Sequence, residues 1–386
     1  MILVLNAGSS SIKYKFFKNK TCVLNGMIDA INLKNCKLKL KLEKVKLEKP
    51  VKIKNHNEAL DLILNSLKEY NIIKNFNEIK AIGHRVVHGG EQFKEATLIN
   101  EKVIKKIKEL CYLAPLHNPH NLTGILACKK LLPKVKQFAI FDTGFHQSID
   151  EKIFLYPIPL EFYNKYKIRK YGFHGISHKF VSNVAYKLLR TKNKKIITCH
   201  IGNGISITAI NNGKSIDTSM GFTPLDGLPM GTRSGSIDPS ILFFLQKKLN
   251  KSIDIIDEIL NKKSGLKGIS GFSDMREIFD LYNKKNKKAI LAMDLLCYKL
   301  SFFISGYVSS LNGVDAIVFT GGIGENAYYI REKTCKNLTY LGLELDSKKN
   351  KKNEQIISSN KSKIKVFVIN TDEEYQIAKE IEQLIN

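Results

Sequence analysis

One pattern constrains this chain more than any other. An apolar, β-rich run, a short turn of small polar residues and a second β-rich run follow one another, and the unit occurs twice. Residues 2–5 and 12–17 flank Asn6-Ala7-Gly8-Ser9-Ser10-Ser11 at the start, and residues 196–201 and 205–210 flank Gly202-Asn203-Gly204 in the middle. In the second copy Asn212-Gly213, a strong two-residue hairpin signal, leads into a third strand over 214–218. A strand–turn–strand unit that recurs about halfway along 386 residues points to two related halves. The length allows two or three domains, each able to bury its own core.

The remaining patterns alternate between the two periodicities. Lysine alternates with Leu, Val or Ile over 34–54, the period of a half-exposed strand or hairpin. Helical spacing covers 57–70 and 101–113, and a buried strand at 138–141 ends at Asp142. Near residue 150 the pattern restarts. Helices at 285–311 and 325–336 flank a strand at 316–319, and a strand at 364–369 leads into a helix at 373–385. This mixed order predicts an α/β chain with a cleft between two lobes. The most apolar stretch, 289–311, is interrupted by Asp294, Lys299 and Gly306, so it reads as a core helix and no membrane association is expected.

The charge balance first suggests a polyanion partner: 62 basic residues against 36 acidic give a net charge of +26. Only Arg85, Arg169, Arg190, Arg233, Arg276 and Arg331 are arginine, so 56 of those 62 are lysine. The lysine alternation at 34–54 lacks the aromatic and arginine residues of a nucleic-acid groove, and no nucleic-acid partner is expected. Where arginine is kept, its planar bidentate fork is what the position needs. Arg85 lies in Gly83-His84-Arg85-Val86-Val87-His88-Gly89-Gly90 and Arg233 in Met230-Gly231-Thr232-Arg233-Ser234-Gly235, tight loops suited to clamping a carboxylate or phosphate. The seven scattered cysteines include no CxxC pair, which fits a reducing, cytoplasmic setting.

Three small-residue turns follow apolar strands: 6–11, 202–204 and 320–326, the last opening a helix. Small residues let backbone N–H groups approach an anion, so together the three point to nucleotide phosphates. Gly213-Lys214-Ser215 imitates the end of a P-loop, but position 208 is threonine, and the Walker reading fails. Eight of the nine histidines fall between His84 and His200. His174 and His178, and likewise His84 and His88, are four apart without the glutamate of a zinc-protease helix, so zinc is disfavoured. Histidines in Gly- and Pro-rich turns suit bonding to a small anion or a transferring group, and local carbonyls satisfying them is the alternative. Asp142 is placed to order an arginine or a metal-bound water, with a structural ion pair as the alternative.

Taken in order, these segments resemble the acetate kinase family, within the superfamily of hexokinases, actin and heat-shock chaperone ATPases. The matching stretches are Leu5–Lys13, Gly83–Gly90, Leu113–Pro119, Phe141–His146, Tyr171–His178, His200–Gly204, Gly221–Leu228, Met230–Pro239, Phe319–Asn326 and Thr371–Glu374. The resemblance implies two lobes of the actin-like ATPase (ribonuclease H-like) type with an interlobe active-site cleft. The N-terminal lobe would take residues 1–147 plus 374–386, and the C-terminal nucleotide-binding lobe 148–373. It implies reversible transfer of the ATP γ-phosphoryl group to acetate, giving acetyl phosphate and ADP, with Mg2+ (Mn2+ as the alternative ion), in a cytoplasmic homodimer.

By position, the resemblance implies that Asn6 and Glu373 attend the metal. Ser9, Ser11 and Lys13 match a first phosphate loop, and His200, Ile201, Gly202, Asn203 and Gly204 a second. Asp274, Met275 and Arg276, with Gly322, Ile323, Gly324, Glu325 and Asn326, match the adenosine-binding segments. Arg85 and Arg233 would bind the carboxylate and the moving phosphoryl group. His174, helped by His117, would stabilise transition-state charge, and Asp142 corresponds to an active-site acid. Val87, Leu116, Phe173 and Pro224 would form the pocket for the methyl group. Ser236, where the family commonly has Asp or Asn, and Gly144, where Ala is commoner, depart from its pattern. Three other readings stay open: a sibling kinase acting on propionate or butyrate, an actin- or chaperone-like ATPase with no carboxylate acceptor, and, on the net charge, a basic nucleic-acid-binding module.

Overall fold

The computed structural model describes residues 1–42, 45–191 and 193–385. They form two compact units, Met1–Phe145 together with the segment from Asp372 onward, and His146–Thr371.

The first unit is built on an eight-stranded sheet. Its strands are β1 (Ile2–Ala7), β2 (Ile12–Lys18), β3 (Thr21–Asp29), β4 (Lys37–Leu42), β5 (Val45–Pro50), β6 (Ala81–Val86), β7 (Thr97–Leu98) and β8 (Lys136–Phe141), in the order β5-β4-β3-β2-β1-β6-β8-β7. β1 runs antiparallel to β2 and parallel to β6, and β6 runs parallel to β8. A central parallel strand is covered on both faces, which is why Leu3, Val4 and Leu5 are all buried in an unbroken apolar run. Leu3 and Leu5 pack with Leu60, Ile63 and Leu67 of the helix His56–Glu69. On the other face Ile377 and Ile381 of the helix Glu373–Ile385 come so close that a Cβ on Gly83 would meet them at 2.6 and 2.5 Å. The lysine-rich alternation behaves as a half-solvated hairpin: Leu38 and Leu40 are buried while Lys37 and Lys41 are exposed. Residues 43 and 44, within the stretch 34–54 expected as a strand or hairpin, lie outside the described residues.

The second unit carries β9 (Lys195–Ile201), β10 (Ile205–Asn211), β11 (Lys214–Thr218), β12 (Ala316–Thr320) and β13 (Lys365–Val368), in the order β11-β10-β9-β12-β13. β10 is antiparallel to β9 and β11, whereas β12 is parallel to β9 and β13. The same order and the same directions recur in the first unit as β3-β2-β1-β6-β8. The repeated strand–turn–strand pattern is thus the first two strands of two copies of one ribonuclease H-like sheet, the actin-like ATPase type. Asn212 and Gly213 both have positive φ, 50° and 78°, so the false P-loop is the two-residue hairpin turn between β10 and β11.

Two expected boundaries are corrected. The helix expected at 325–336 is two, Gly321–Asn326 and Tyr328–Lys336, interrupted at Ala327 (φ −92°, ψ 79°). Three glycines of low helix propensity hide the first of them, which starts directly off β12 through Gly321 at φ 77°. The helix expected at 101–113 ends at Glu109 and continues as a 3-10 turn over Leu110–Tyr112. Lys287–Leu311 is one 25-residue helix, long and apolar enough by length and composition alone to cross a membrane. Here Ala289, Met293, Leu296, Leu300, Ile304 and Leu311 are buried along it within the unit.

Candidate active site

In the first unit four of the expected residues meet at the carboxyl ends of parallel strands, where open α/β sheets bind ligands. Arg85 near the end of β6 makes a two-pronged contact with Asp142, just beyond β8, at 3.1 Å (Nε–Oδ1) and 2.5 Å (Nη2–Oδ2). Its Nη1 donates to Asn6 Oδ1 of β1 at 3.4 Å, and its Nε lies 3.3 Å from Glu373 Oε2. Burial pushes the Asp142 carboxyl up and Glu373 adds to the push, while Arg85 pulls it down. For Arg85 burial alone would lower the pKa, but Asp142 and Glu373 outweigh it and hold the guanidinium cationic.

The loop after β6 is fixed by the helix Asn118–Leu131. Val87 N donates to Asn121 Oδ1 at 3.1 Å and His88 N to Asn118 Oδ1 at 3.0 Å, while Asn121 Nδ2 reaches Ala7 O at 2.8 Å. Sequence reasoning gave neither of these buried asparagines a role, although Asn118 lies in the matching stretch Leu113–Pro119; the signal at Asn121 is a polar residue on a helix face that the core needs. Val87 is buried, whereas Leu116 and His117 lie exposed on the turn leading into that helix. Ser9 and Lys13 are exposed, Lys13 opposite Asn6 in the β1–β2 register, and Gly8 N closes the intervening turn onto Ser11 O at 2.8 Å. Gly144 is explained by crowding: a Cβ there would sit 3.0 Å from Lys94 O.

In the second unit His174, with φ 56°, precedes the helix Gly175–Leu188, and His200 lies in β9. Their rings stack at 4.2 Å. His174 Nδ1 is 2.9 Å from Ser206 Oγ, and His200 Nδ1 is 2.8 Å from Ser177 Oγ, which also meets Thr371 Oγ1 at 2.8 Å. Gly202 N bonds Gly204 O at 3.0 Å in the turn after β9. A Cβ on Gly204 would lie 3.3 Å from His174 Nε2, a tight contact, and 3.5 Å from Arg233 Nη1, an ordinary one, so both side chains reach the space over this glycine. Arg233 Nη1 donates to Pro224 O at 3.3 Å and, among the described residues, Arg233 has no carboxylate partner. Burial lowers its pKa. Phe173 is buried and its carbonyl lies 3.0 Å from His146 Nε2. Ser236 Oγ donates to Asp226 Oδ1 at 2.6 Å and accepts from Gly227 N at 3.0 Å, tying down the loop that carries Pro224.

A cavity of about 750 Å³ opens beside these residues, in the same unit. It brings together Gly202, Asn203, Asp274, Met275, Arg276, Gly322, Ile323 and Asn326, drawn from three separate expected segments. Phe279 and Tyr329, whose rings stack at 3.5 Å, also line it, with Ser273, Asp280 and Ala327, and sequence reasoning named none of these. Asp274 caps the helix Met275–Asn283 through Arg276 N and pairs with the exposed Arg276 at 2.6 Å, which holds its carboxyl down at about 2. His200, Ile201, Gly204, Gly324 and Glu325 are not in the lining. Glu325 turns back to accept from Gly321 N at 3.0 Å and Thr371 N at 3.1 Å.

Burial holds several histidines neutral. His84 and His146 are lowered to about 4, His88 to about 3, and His178 well below its usual value. Unfolded histidines titrate near 6.5, so below that pH the unfolded chain binds more protons and stability falls as pH falls. Between pH 7 and 5 the loss should be about 2 kcal/mol for each of His84 and His146. Asp142, shifted the other way, offsets part of it. Urea denaturation at the two pH values checks this, and stability that is flat or rises on acidification would contradict it.

The sequence pattern described as the acetokinase family matches residues 1–379. An acetate kinase of Carboxydothermus hydrogenoformans is 50% identical, covering 100% of this chain and 99% of that one. The crystal structure of Porphyromonas gingivalis acetate kinase superposes with a TM-score of 0.95 at 43% identity, over 100% of this chain and 99% of that chain. That of a propionate kinase from Francisella tularensis gives 0.94 at 45% identity, over 98% of each chain.

Proposed function

Because the chain belongs to the acetokinase family, we propose that it is an acetate kinase, transferring the ATP γ-phosphoryl group reversibly to acetate to give acetyl phosphate and ADP. The observation that carries this reading is Arg233. It is a largely buried cation with no carboxylate partner among the described residues, converging with His174 over Gly204, and Gly202 and Asn203 of the same turn line the nucleotide-sized cavity.

A carboxylate is already nucleophilic at neutral pH, so the reaction needs no strong base. Its difficulty is the approach of two anions, which calls for cations and donors around the equatorial oxygens of the moving group. Arg233 and the His174 ring supply these in the second unit. There the adenosine stacks against the walls carrying Phe279 and Tyr329, and the backbone of Gly202–Gly204 and Gly322–Asn326 lies along its phosphates, with His200 and Ile201 behind. In the first unit Arg85, ordered by Asp142, faces the acid's carboxylate. Ser9, Ser11 and Lys13 serve the phosphates. Val87, Leu116, Phe173 and Pro224 contribute the apolar surface for the methyl group, and His117 assists His174.

The carbonyl of Asn6 and the carboxylate of Glu373 are hard oxygen donors that suit Mg2+ or Mn2+, and both already hydrogen-bond or pair with Arg85. When bound, the metal neutralises charge on the phosphate oxygens. Chelation should therefore abolish turnover and added Mg2+ restore it. Glu373→Gln should raise the Mg2+ concentration for half-maximal rate about tenfold by removing one charged donor. An unchanged Mg2+ dependence in that variant would remove Glu373 from the metal's shell.

Propionate is the second reading, since one relative of nearly the same fold is a propionate kinase. An extra methylene in an apolar pocket is worth only about 1–3 kcal/mol. ADP formation on acetate, propionate and butyrate tests the choice: kcat/KM highest on acetate supports the assignment, and a preference for a longer acid replaces it. Exposed apolar side chains on two helices of the second unit support a homodimer, with Phe243 59% and Phe244 57% exposed on Ser240–Lys248 and Phe302 61% on Lys287–Leu311. The seven cysteines, all free, suit a reducing cytoplasm.

A further inference from the structure

We propose that Ser206, backed by His178 and Thr198, is a positioning residue that holds His174 in the neutral tautomer with its proton on Nε2. This rests on the role given above to His174. Four side chains form one chain of hydrogen bonds: Thr198 Oγ1 to His178 Nδ1 at 2.7 Å, His178 Nε2 to Ser206 Oγ at 2.7 Å, and Ser206 Oγ to His174 Nδ1 at 2.9 Å. Thr198, His178 and Ser206 are fully buried, on β9, on the helix Gly175–Leu188 and on β10.

Each hydroxyl and each neutral imidazole has one proton to donate, so the chain runs in one of two directions. The remaining arrangement, with Ser206 accepting from both rings, leaves the Ser206 hydroxyl proton without an acceptor among the described residues. In one, Thr198 donates to His178 Nδ1, His178 Nε2–H donates to Ser206, and Ser206 donates to His174 Nδ1. His174 then carries its proton on Nε2. In the reverse, His178 Nδ1–H donates to Thr198, whose own hydroxyl proton must find another acceptor. Among the described residues Thr198 Oγ1 has no partner except His178. A buried donor left unsatisfied disfavours that direction by about tenfold or more in population.

Burial keeps His178 neutral, and the nearby His146 and His200 rings oppose its charging, so it cannot supply a second proton to rescue the reverse order. The favoured order ends at His174 Nε2, which lies over Gly204, as does Arg233 Nη1. The selected tautomer therefore presents an N–H beside the guanidinium, two donors converging on one anion, rather than a lone pair facing it.

Ring-nitrogen NMR of the full chain labelled with 15N-histidine tests this directly, with His174→Gln identifying the signal. A protonated Nε2 and bare Nδ1 on His174 are expected, and the opposite tautomer would overturn the proposal. Ser206→Ala should mix the tautomers, taking the share with Nε2–H from about ten in eleven toward about one half, and so lower kcat about twofold while KM for acetate and ATP is unchanged. Ser206→Thr, which restores the hydroxyl, should recover both. Ser206→Ala with unchanged kcat and an unchanged spectrum would equally overturn it. If Ser206→Ala fails to fold, the wild-type spectrum decides. Wild-type turnover in His174→Gln would instead refute the catalytic role of His174, a separate failure that the spectrum does not share.

Discussion

Arg233→Ala should cut turnover by about three orders of magnitude, roughly 4 kcal/mol of transition-state stabilisation, with the fold intact. The guanidinium bonds only neutral groups in the described structure, Pro224 O and Met230 Sδ, and burial lowers its pKa. A cation desolvated without a counter-charge contributes little to folding, so its removal leaves no orphaned carboxylate behind. The melting temperature should therefore stay the same or rise slightly, while kcat collapses. Arg233→Lys should recover only part of the rate, because a point charge does not reproduce the planar fork of donors that a guanidinium offers an anion. A folded Arg233→Ala protein with near-normal kcat would remove this arginine from the chemistry.

Asp142→Asn should have the second-largest effect, and its signature should differ. The carboxylate grips Arg85 with both oxygens, and the other groups holding that guanidinium are Asn6 Oδ1 and Glu373. With an amide at 142, one prong becomes an N–H facing an N–H, and Arg85 is drawn toward the oxygens assigned to the metal. Turnover should fall about a hundredfold, and the Mg2+ requirement should rise with it, which Arg233→Ala should not produce. Stability should drop by only about 2 kcal/mol, because Glu373 still balances the arginine and the variant is relieved of a costly buried carboxylate. Rate loss without any change in Mg2+ dependence would contradict this account of Arg85.

Much of this was legible in the sequence because strand periodicity and turn chemistry are local. The two strand–turn–strand units, the Asn212-Gly213 hairpin and the lysine-rich β4–β5 pair all appear where alternation and turn residues put them. The first helix after β12 was hidden because Gly321, Gly322 and Gly324 argue locally against it. Arginine scarcity drew attention to Arg85 and Arg233, and both occupy polar settings at the sheet ends and turns. What stayed invisible depends on distant pairing. Phe279 and Tyr329 are 50 residues apart and become one cavity wall only after folding, and nothing in their own neighbourhoods marks them. Asn118, Asn121, Ser206 and Thr198 resemble ordinary helix or strand residues until their partners are known.

The central claim, phosphoryl transfer from ATP to a small carboxylate, is tested most directly by initial-rate ADP formation with and without acetate, with acyl phosphate trapped as the hydroxamate in the same samples. The account predicts that ADP release depends on acetate and matches hydroxamate one for one. ADP release that continues at full rate without acetate, with no hydroxamate formed, would contradict it.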